Sequence, residues 1–260
     1  MRNEEDKFID IVEVAGDIAS QEQIERLCNR YYWAGKYCRN KDVVETACGT
    51  GQGLAYLSGV SKSLHAGDYS EKILKIARNH YKDRINFQRF DAQNMPFPDN
   101  SLDVVVLFEA IYYLPSPEKF VGECHRILRK GGVVLISTAN KDLYDFNPSP
   151  YSRRYFGTVE LNELFTGHGF SIECFGDVSM KMISFRQKIF RPIKAASVKL
   201  NIIPKSMDGK KLLKRLIFGK MTKMPLEITE DIITYREPSR ISILEPNREH
   251  KVIYCVANME

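Results

Sequence analysis

The chain has 260 residues, and its hydrophobic content of 43% is enough to bury the core of one large domain. No apolar run approaches the roughly 20 residues that cross a bilayer. The six scattered cysteines form no C-x-x-C pairs, so the sequence suggests neither a zinc site nor a disulfide framework and favours a reduced, cytoplasmic protein. The net charge of +5 is local, since residues 181–224 hold thirteen Lys and Arg against one acid and the remainder is net acidic.

The first 40 residues predict a helical cap ahead of the core. The clearest helix is 21–37, where apolar residues recur every three or four positions. Its end reads R-Y-Y-W-A-G-K-Y and gathers three tyrosines and the only tryptophan in front of the first core strand. The simplest interpretation of these residues is a helix that caps the sheet.

Residues 42–53 read D-V-V-E-T-A-C-G-T-G-Q-G and predict a strand, a tight turn and a helix start. Glycine at 49, 51 and 53 lets the backbone reverse and lets a ligand approach the main-chain N–H groups, where an electron-rich ligand is favoured. The spacing G-x-G-x-G is one residue shorter than the G-x-G-x-x-G dinucleotide fingerprint. Such a turn is weak evidence by itself, because glycine-rich turns also occur as plain loops.

Acidic residues follow the next two predicted strands, 63–66 and 85–90. Asp68 lies 19 residues after Gly49, close to the roughly 20-residue interval at which an acid meets a ribose. A helix N-cap is the alternative role for Asp68, although Ser70 can supply that cap instead. Asp91 and Ala92 take the corresponding place after the third strand.

The apolar run 102–108 predicts a fourth strand that is covered on both faces, and it leads into F-E-A-I-Y-Y-L-P. A helix over 116–128 should end at the glycines of R-K-G-G, ahead of a fifth strand, V-V-L-I-S-T-A. The next loop is rich in tyrosine, proline and arginine and lies beyond the edge where open α/β sheets bind ligands. Such a loop is either an ordered acceptor site or a simple crossover. Its Tyr151, Arg153, Arg154 and Tyr155 suit an anionic or sugar-like acceptor.

The remaining residues predict a sixth strand at 170–175, a last strand at 251–257 and an insertion between them, too long for an idle loop. Within the insertion, K-K-L-L-K-R-L-I-F at 210–218 predicts a helix with apolar residues on one face and cations on the other. The helix could pack on its own core, or it could meet an anionic membrane surface or a polyanionic acceptor. No nucleic-acid-binding module is recognised.

Together these motifs, in this order, resemble the class I S-adenosylmethionine-dependent methyltransferases. The resemblance implies a Rossmann-like α/β fold: a seven-stranded, mostly parallel sheet with the last strand antiparallel, plus a helical insertion. The implied division is a cap at 1–40, a core at 41–176 and 251–260, and a basic insertion or lid at 177–250. The R-Y-Y-W-A stretch is similar to one in a branch found in glycan and polysaccharide biosynthesis. That resemblance implies that the helix forms part of a lid over the cofactor and the substrate.

The resemblance also implies the site. Its cofactor is S-adenosyl-L-methionine, bound by Glu45, Ala47, Cys48, Gly49, Gly51, Gly53, Asp68, Tyr69, Asp91, Ala92, Phe108 and Glu109. The substrate would contact Tyr32, Trp33, Tyr112, Tyr113, Tyr151, Arg153, Arg154 and Tyr155. Many relatives carry Glu-His where this chain has Tyr112 and Tyr113, which puts a carried-over catalytic histidine in doubt. The catalytic candidates are Tyr113 and Glu109. No cluster of acids and histidines predicts a metal.

The expected reaction is O-methylation of a sugar, glycan or glycolipid acceptor in cell-envelope or polysaccharide biosynthesis. The protein would act in the cytoplasm, with peripheral contact to the inner face of the membrane through its basic insertion, and would bind no nucleic acid. Two alternatives share the same core: a C- or N-methyltransferase acting on a quinone-like or natural-product molecule, and a non-catalytic partner protein that only binds the cofactor. The oligomeric state stays open.

Overall fold

The computed structural model describes residues 14, 16–182 and 221–260. Within these, the strands are β1 Ile18–Ser20, β2 Asp42–Thr46, β3 Ser63–Asp68, β4 Asn86–Arg89, β5 Leu102–Phe108, β6 Leu128–Ala139, β7 Phe170–Ser179, β8 Met221–Lys223, β9 Ser239–Ile241 and β10 His250–Met259. The α-helices are α1 Gln21–Cys38, α2 Leu54–Val60, α3 Glu71–Tyr81, α4 Pro117–Ile127 and α5 Thr158–Thr166. None of the helices in these ranges is both long and apolar enough to cross a membrane.

The main sheet has eight strands in the order β4-β3-β2-β5-β6-β10-β7-β9. Strands β2 to β6 run parallel to one another, whereas β10 enters antiparallel between β6 and β7. The predicted Rossmann-like sheet with an antiparallel last strand is therefore confirmed, and β9 adds a short eighth strand at the edge. Because parallel strands end at the same edge, the loops after β2, β3, β4 and β5 meet there.

Helices cover both faces of the sheet. On one face, α1 packs against β2, β5, β6 and β10 through a cluster that includes Leu27, Trp33, Val106 and Tyr254. On the other face, α4 and α5 bury Phe120, Ile127, Leu161 and Phe165. Helix α1 begins with a capping box, in which the Ser20 hydroxyl accepts from the Gln23 N–H and the Gln23 side chain accepts from the Ser20 N–H.

The chain that follows residue 220 lies across α1. The Asn29 amide donates to the Arg236 carbonyl and accepts from the Arg236 N–H, at 3.0 and 2.9 Å. The Ile228 N–H donates to the Gln52 carbonyl at 2.8 Å, in the turn after β2. This part of the predicted insertion therefore contacts both α1 and the glycine-rich turn.

Two helices were predicted at 116–128 and 210–218. Helix α4 ends at Ile127 and β6 starts at once with Leu128, so the glycines of R-K-G-G lie inside the strand and do not cap the helix. The pairing of β5 with β6 is irregular at that point, and Gly131 there has a φ of +76°. The predicted basic helix at 210–218 lies outside the described residues. The described parts of the predicted insertion at 177–250 are residues 177–182 and 221–250. Strand β7 extends into the first part, and the second part contributes β8, β9 and the first residue of β10.

Candidate active site

A cavity of about 510 Å³ opens at the carboxyl ends of β2, β3, β4 and β5. This volume lies within the range of small-molecule sites, roughly 300–1,000 Å³. Most of the residues predicted to bind a cofactor line it: Glu45, Ala47, Cys48, Gly49, Asp68, Tyr69, Asp91, Ala92, Phe108 and Glu109. Four predicted substrate residues line it as well: Tyr112, Tyr113, Tyr151 and Arg153.

The three glycines of the turn have different surroundings. Gly49 has a φ of +59° and lines the cavity. A Cβ on Gly51 would lie 3.0 Å from both Leu54 Cδ1 and Tyr81 Cε2, so this glycine faces packed side chains. A Cβ on Gly53 would lie 2.0 Å from the ring of Tyr31. Gly51 and Gly53 therefore make room for protein side chains, and their contact with a cofactor stays a prediction.

Glu45, the acid at the end of β2, is 2% exposed. Its Oε1 accepts a hydrogen bond of 2.5 Å from the Tyr31 hydroxyl. Its Oε2 is buried and has no hydrogen-bond partner among the described residues. Burial raises the pKa of this carboxyl to about 7, while the Tyr31 hydrogen bond and the nearby Arg30 charge oppose the shift. The unsatisfied oxygen suits a cationic N–H donor on a ligand.

The acids after β3 and β4 are held by backbone N–H groups. Asp68 accepts from Gly49 N at 3.0 Å and from Ser70 N at 2.9 Å. Burial raises the pKa of this carboxyl, although the two hydrogen bonds act to lower it. The Ser70 hydroxyl accepts from Ile73 N and caps α3, so Asp68 is not the cap. Asp91 accepts from Gln93 N at 2.9 Å. Both carboxylates retain acceptor capacity toward the cavity.

Glu109, immediately after β5, is fixed by three groups. It accepts from Ser137 Oγ at 3.0 Å and from the Tyr112 hydroxyl at 3.1 Å, and its Oε1 is 3.8 Å from Arg30 Nη1. Its backbone has a φ of +51°, which is uncommon for a residue with a Cβ and is found most often at functional sites. The carboxylate therefore has a defined position between the glycine-rich turn and the tyrosines.

Tyr113 is placed to orient a ligand. Its hydroxyl lies 2.5 Å from Ser149 Oγ, and burial raises its pKa to about 12 despite that hydrogen bond. A phenol with this pKa stays protonated at neutral pH, so it is a hydrogen-bond donor and a poor general base. Of the two predicted catalytic residues, Glu109 is the one with a carboxylate to accept a proton, held by Ser137 and the Tyr112 hydroxyl.

In the aromatic loop after β6, the two predicted arginines have different surroundings. Arg153 lines the cavity, and its N–H donates to the Tyr112 carbonyl at 2.7 Å. The Arg154 guanidinium instead lies 4.9 Å from the centre of the Phe156 ring and 3.5 Å from Glu118. Tyr155 is not a lining residue but stacks on Tyr112, with 4.3 Å between the ring centroids.

Helix α1 contributes different residues from those predicted. Trp33 is 1% exposed and stacks on Tyr254 at 4.8 Å, and the Tyr32 hydroxyl donates to the Thr229 carbonyl. Neither residue lines the cavity, because this face of α1 packs on the sheet and on the segment after residue 220. Arg26, Arg30 and Tyr31 line it instead. Arg26 and Arg30 are four residues apart and so share a face of α1, but this spacing does not show that the face borders a cavity.

The chain resembles known methyltransferases in sequence. The family model described as a methyltransferase domain matches residues 44–136. A protein of Mycolicibacterium smegmatis, named a probable S-adenosylmethionine-dependent methyltransferase, is 32% identical over 60% of this chain and 66% of its own length. Phthiotriol/phenolphthiotriol dimycocerosates methyltransferase 1 of Mycobacterium ulcerans is 34% identical over 51% of this chain and 49% of its own length. The matched part of this chain thus spans half to just under two thirds of these relatives.

Solved structures agree on the fold. A SAM-dependent methyltransferase from Archaeoglobus fulgidus superimposes with a TM-score of 0.56 at 17% identity, over 92% of this chain and 95% of that one. The [4+2]-cyclase SpnF superimposes with a TM-score of 0.59 at 18% identity, over 95% of this chain and 84% of that one. Because identities are this low, these two structures establish the shared fold alone.

Proposed function

We propose that the chain, whose residues 44–136 match a methyltransferase domain, transfers a methyl group from S-adenosylmethionine to an acceptor held between Glu109 and the aromatic loop. One observation carries the proposal: the buried Oε2 of Glu45 has no partner among the described residues and lies in a cavity lined by two further acids, Asp68 and Asp91. S-adenosylmethionine supplies, when bound, a methyl group on a positively charged sulfur.

The protein residues divide the work of binding. Glu45 would accept from the cofactor's ammonium group, Asp68 from its ribose hydroxyls, and Asp91 with Ala92 would contact the adenine. Three carboxylates also make this part of the cavity favourable for a cation. Catalysis then depends largely on orientation, because an oriented pair of reactants avoids most of the entropy loss of their encounter.

At the acceptor, Glu109 would receive a proton from a hydroxyl, and Tyr113 would hold that hydroxyl by donating a hydrogen bond. We infer a sugar, glycan or glycolipid acceptor, because Tyr112, Tyr113 and Tyr151 offer ring faces beside polar groups. The relative named for a lipid methyltransferase supports a lipid-linked molecule. The proposal includes a cytoplasmic reaction near the inner face of the membrane, which the basic stretch at 181–224 supports.

Two other functions remain candidates on specific grounds. A small-molecule C- or N-methyltransferase would use the same acids with an apolar acceptor, for which Arg153 has no role. The second candidate is a protein that binds the cofactor without transferring its methyl group. The shared fold with a cyclase supports this candidate, because the fold is not restricted to methyl transfer.

The test uses the full chain. Calorimetry should first show binding of S-adenosylhomocysteine, and Asp68→Ala should weaken it. The protein is then incubated with S-adenosylmethionine and panels of sugar nucleotides, lipid-linked glycans and quinols, with Asp68→Ala as the matched control. We expect one glycan-type compound to gain the mass of a single methyl group. A methylated quinol would favour the small-molecule alternative, and cofactor binding without any methylated product would favour the non-catalytic one.

A further inference from the structure

The carboxylate of Asp91, the acid after β4, is held by a residue two positions further along the chain. The Gln93 N–H donates to Asp91 Oδ1 at 2.9 Å. The Gln93 side chain also donates to the carboxylate, with Nε2 lying 3.0 Å from Oδ1 and 3.2 Å from Oδ2. A carboxylate oxygen has about two acceptor positions. These contacts therefore fill Oδ1 and leave one acceptor position on Oδ2 for a ligand.

The Gln93 amide is fixed from its other end as well. Its Oε1 accepts from the Ser116 N–H at 2.8 Å, at the residue that precedes helix α4. A backbone N–H can only donate and a carboxylate can only accept, so one orientation of the amide satisfies both neighbours. Gln93 therefore presents its NH2 group to Asp91, and turning the amide over would lose both contacts.

The fixed carboxylate borders the cavity. Asp91, Ala92 and Gln93 all line it, whereas the next residue, Asn94, is exposed and is not among the described residues that line it. A ligand has to bring a hydrogen-bond donor to the position left on Oδ2. Adenine brings its exocyclic amine, whereas hypoxanthine has an oxo group on the same carbon and would set one acceptor against another.

This discrimination requires a carboxylate that cannot turn away from the oxo group. We propose that Gln93 is a positioning residue, which fixes the Asp91 carboxylate and thereby makes the cofactor site specific for an amino-substituted purine. The inference rests on the proposed function, because it assigns a role at the adenine end of that same site.

A simpler role for Gln93 is to order the start of helix α4, where the Ser116 side chain makes no capping hydrogen bond. The two roles differ in the effect of Gln93→Glu. This variant keeps an acceptor for the Ser116 N–H, so a helix-ordering role would survive it. It also sets a second carboxylate against Asp91 in place of a donor, so a positioning role would be lost.

The experiment is a calorimetric titration of the full chain with S-adenosylhomocysteine and with S-inosylhomocysteine, its 6-oxo counterpart, at about pH 8, where an ordinary carboxyl is ionised. The wild type should prefer the adenine compound about a hundredfold, because both the Asp91 carboxylate and the Ala92 N–H oppose hypoxanthine. Gln93→Glu, and Gln93→Met, which keeps the side-chain length without the amide, should each lower this preference about tenfold. The matched control is Asn94→Leu, which removes an exposed amide from the same loop and should change the preference by less than about twofold.

Three results would overturn the positioning role. If Gln93→Glu keeps the wild-type preference, Gln93 only orders the start of α4. If Gln93→Met weakens both compounds equally and lowers the melting temperature, its contribution is to the fold and not to the choice of base. If the wild type binds both compounds equally well, the Asp91 carboxylate does not discriminate between the bases. A wild type that binds neither compound would contradict the proposed function itself.

Discussion

Replacing Gly53 with alanine should uncouple the helix α1 from the glycine-rich turn. The added Cβ would lie 2.0–2.3 Å from three atoms of the Tyr31 ring, far inside van der Waals contact. Tyr31 is 4% exposed, packs edge-on against Phe108 with 5.3 Å between centroids, and donates to Glu45. The ring therefore has to move, and its hydrogen bond to the buried carboxyl is lost with it.

Two contributions set the size of the effect. Forcing extra volume into a packed site costs about 1–3 kcal/mol. Losing a hydrogen bond to a charged group costs about 1.5–3 kcal/mol, and the lower figure applies because the Glu45 pKa of about 7 leaves it only partly ionised at neutral pH. We expect the free energy of unfolding to fall by about 3 kcal/mol, which lowers the melting temperature by roughly 6–12 °C in a domain of this size.

Urea and thermal unfolding measure the first effect, and calorimetry with S-adenosylhomocysteine measures a second, since the displaced ring lies beside the cavity. The matched control is Gly59→Ala in α2, where a Cβ would meet nothing within 4 Å and alanine should stabilise the helix by about 0.5–1 kcal/mol. In a Tyr31→Ala background, Gly53→Ala should cost less than about 1 kcal/mol, because the obstructing ring is gone. Equal stability and ligand affinity for the Gly53→Ala and Gly59→Ala proteins would refute the reasoning.

Three further predictions concern the cavity. Asp68→Ala should weaken the binding free energy of S-adenosylhomocysteine by about 1.5–3 kcal/mol, measured by calorimetry. If the variant lost equally in melting temperature with and without the ligand, Asp68 would only order the turn. Because burial raises the pKa of Glu45 to about 7, ligand affinity should fall about tenfold per pH unit below that value, and Glu45→Gln should flatten the profile. Between pH 4.5 and 7, Glu45 is protonated in the folded protein but ionised in the unfolded chain. The free energy of unfolding of the protein without ligand should therefore decline as pH rises through this range. Glu109→Gln should reduce the rate of methyl transfer more than Tyr113→Phe, and a larger loss in Tyr113→Phe would contradict the assignment of the base.

The cofactor side of the cavity could be predicted because its geometry follows from short segments. Glu45 and Gly49 are four residues apart, and Asp68 and Asp91 come at the ends of successive parallel strands. A parallel sheet brings such positions to one edge whatever the surrounding loops do. The sequence therefore indicated this part of the site by its acids and their order.

The acceptor side depends on contacts between distant residues. Trp33 is buried because it meets Tyr254, far along the chain, and this packing sets the rotation of α1 about its axis. That rotation turns Arg26 and Arg30 toward the cavity. Similarly, the Tyr31 ring leaves no room for a Cβ at Gly53. A periodic pattern identifies the apolar face of a helix, but not which of two polar flanks borders a cavity.

Strand β10 comes after every other strand of the sheet in the chain, yet it occupies an interior place between β6 and β7. During synthesis, β6 and β7 have no partner on their facing edges until residues 250–259 have left the ribosome. Unpaired edges of buried strands are templates for intermolecular pairing. The sheet can close only after β10 has been translated. A chain stalled before β10 would therefore expose two unpaired strand edges at once, and chaperone binding to such nascent chains should end when β10 emerges.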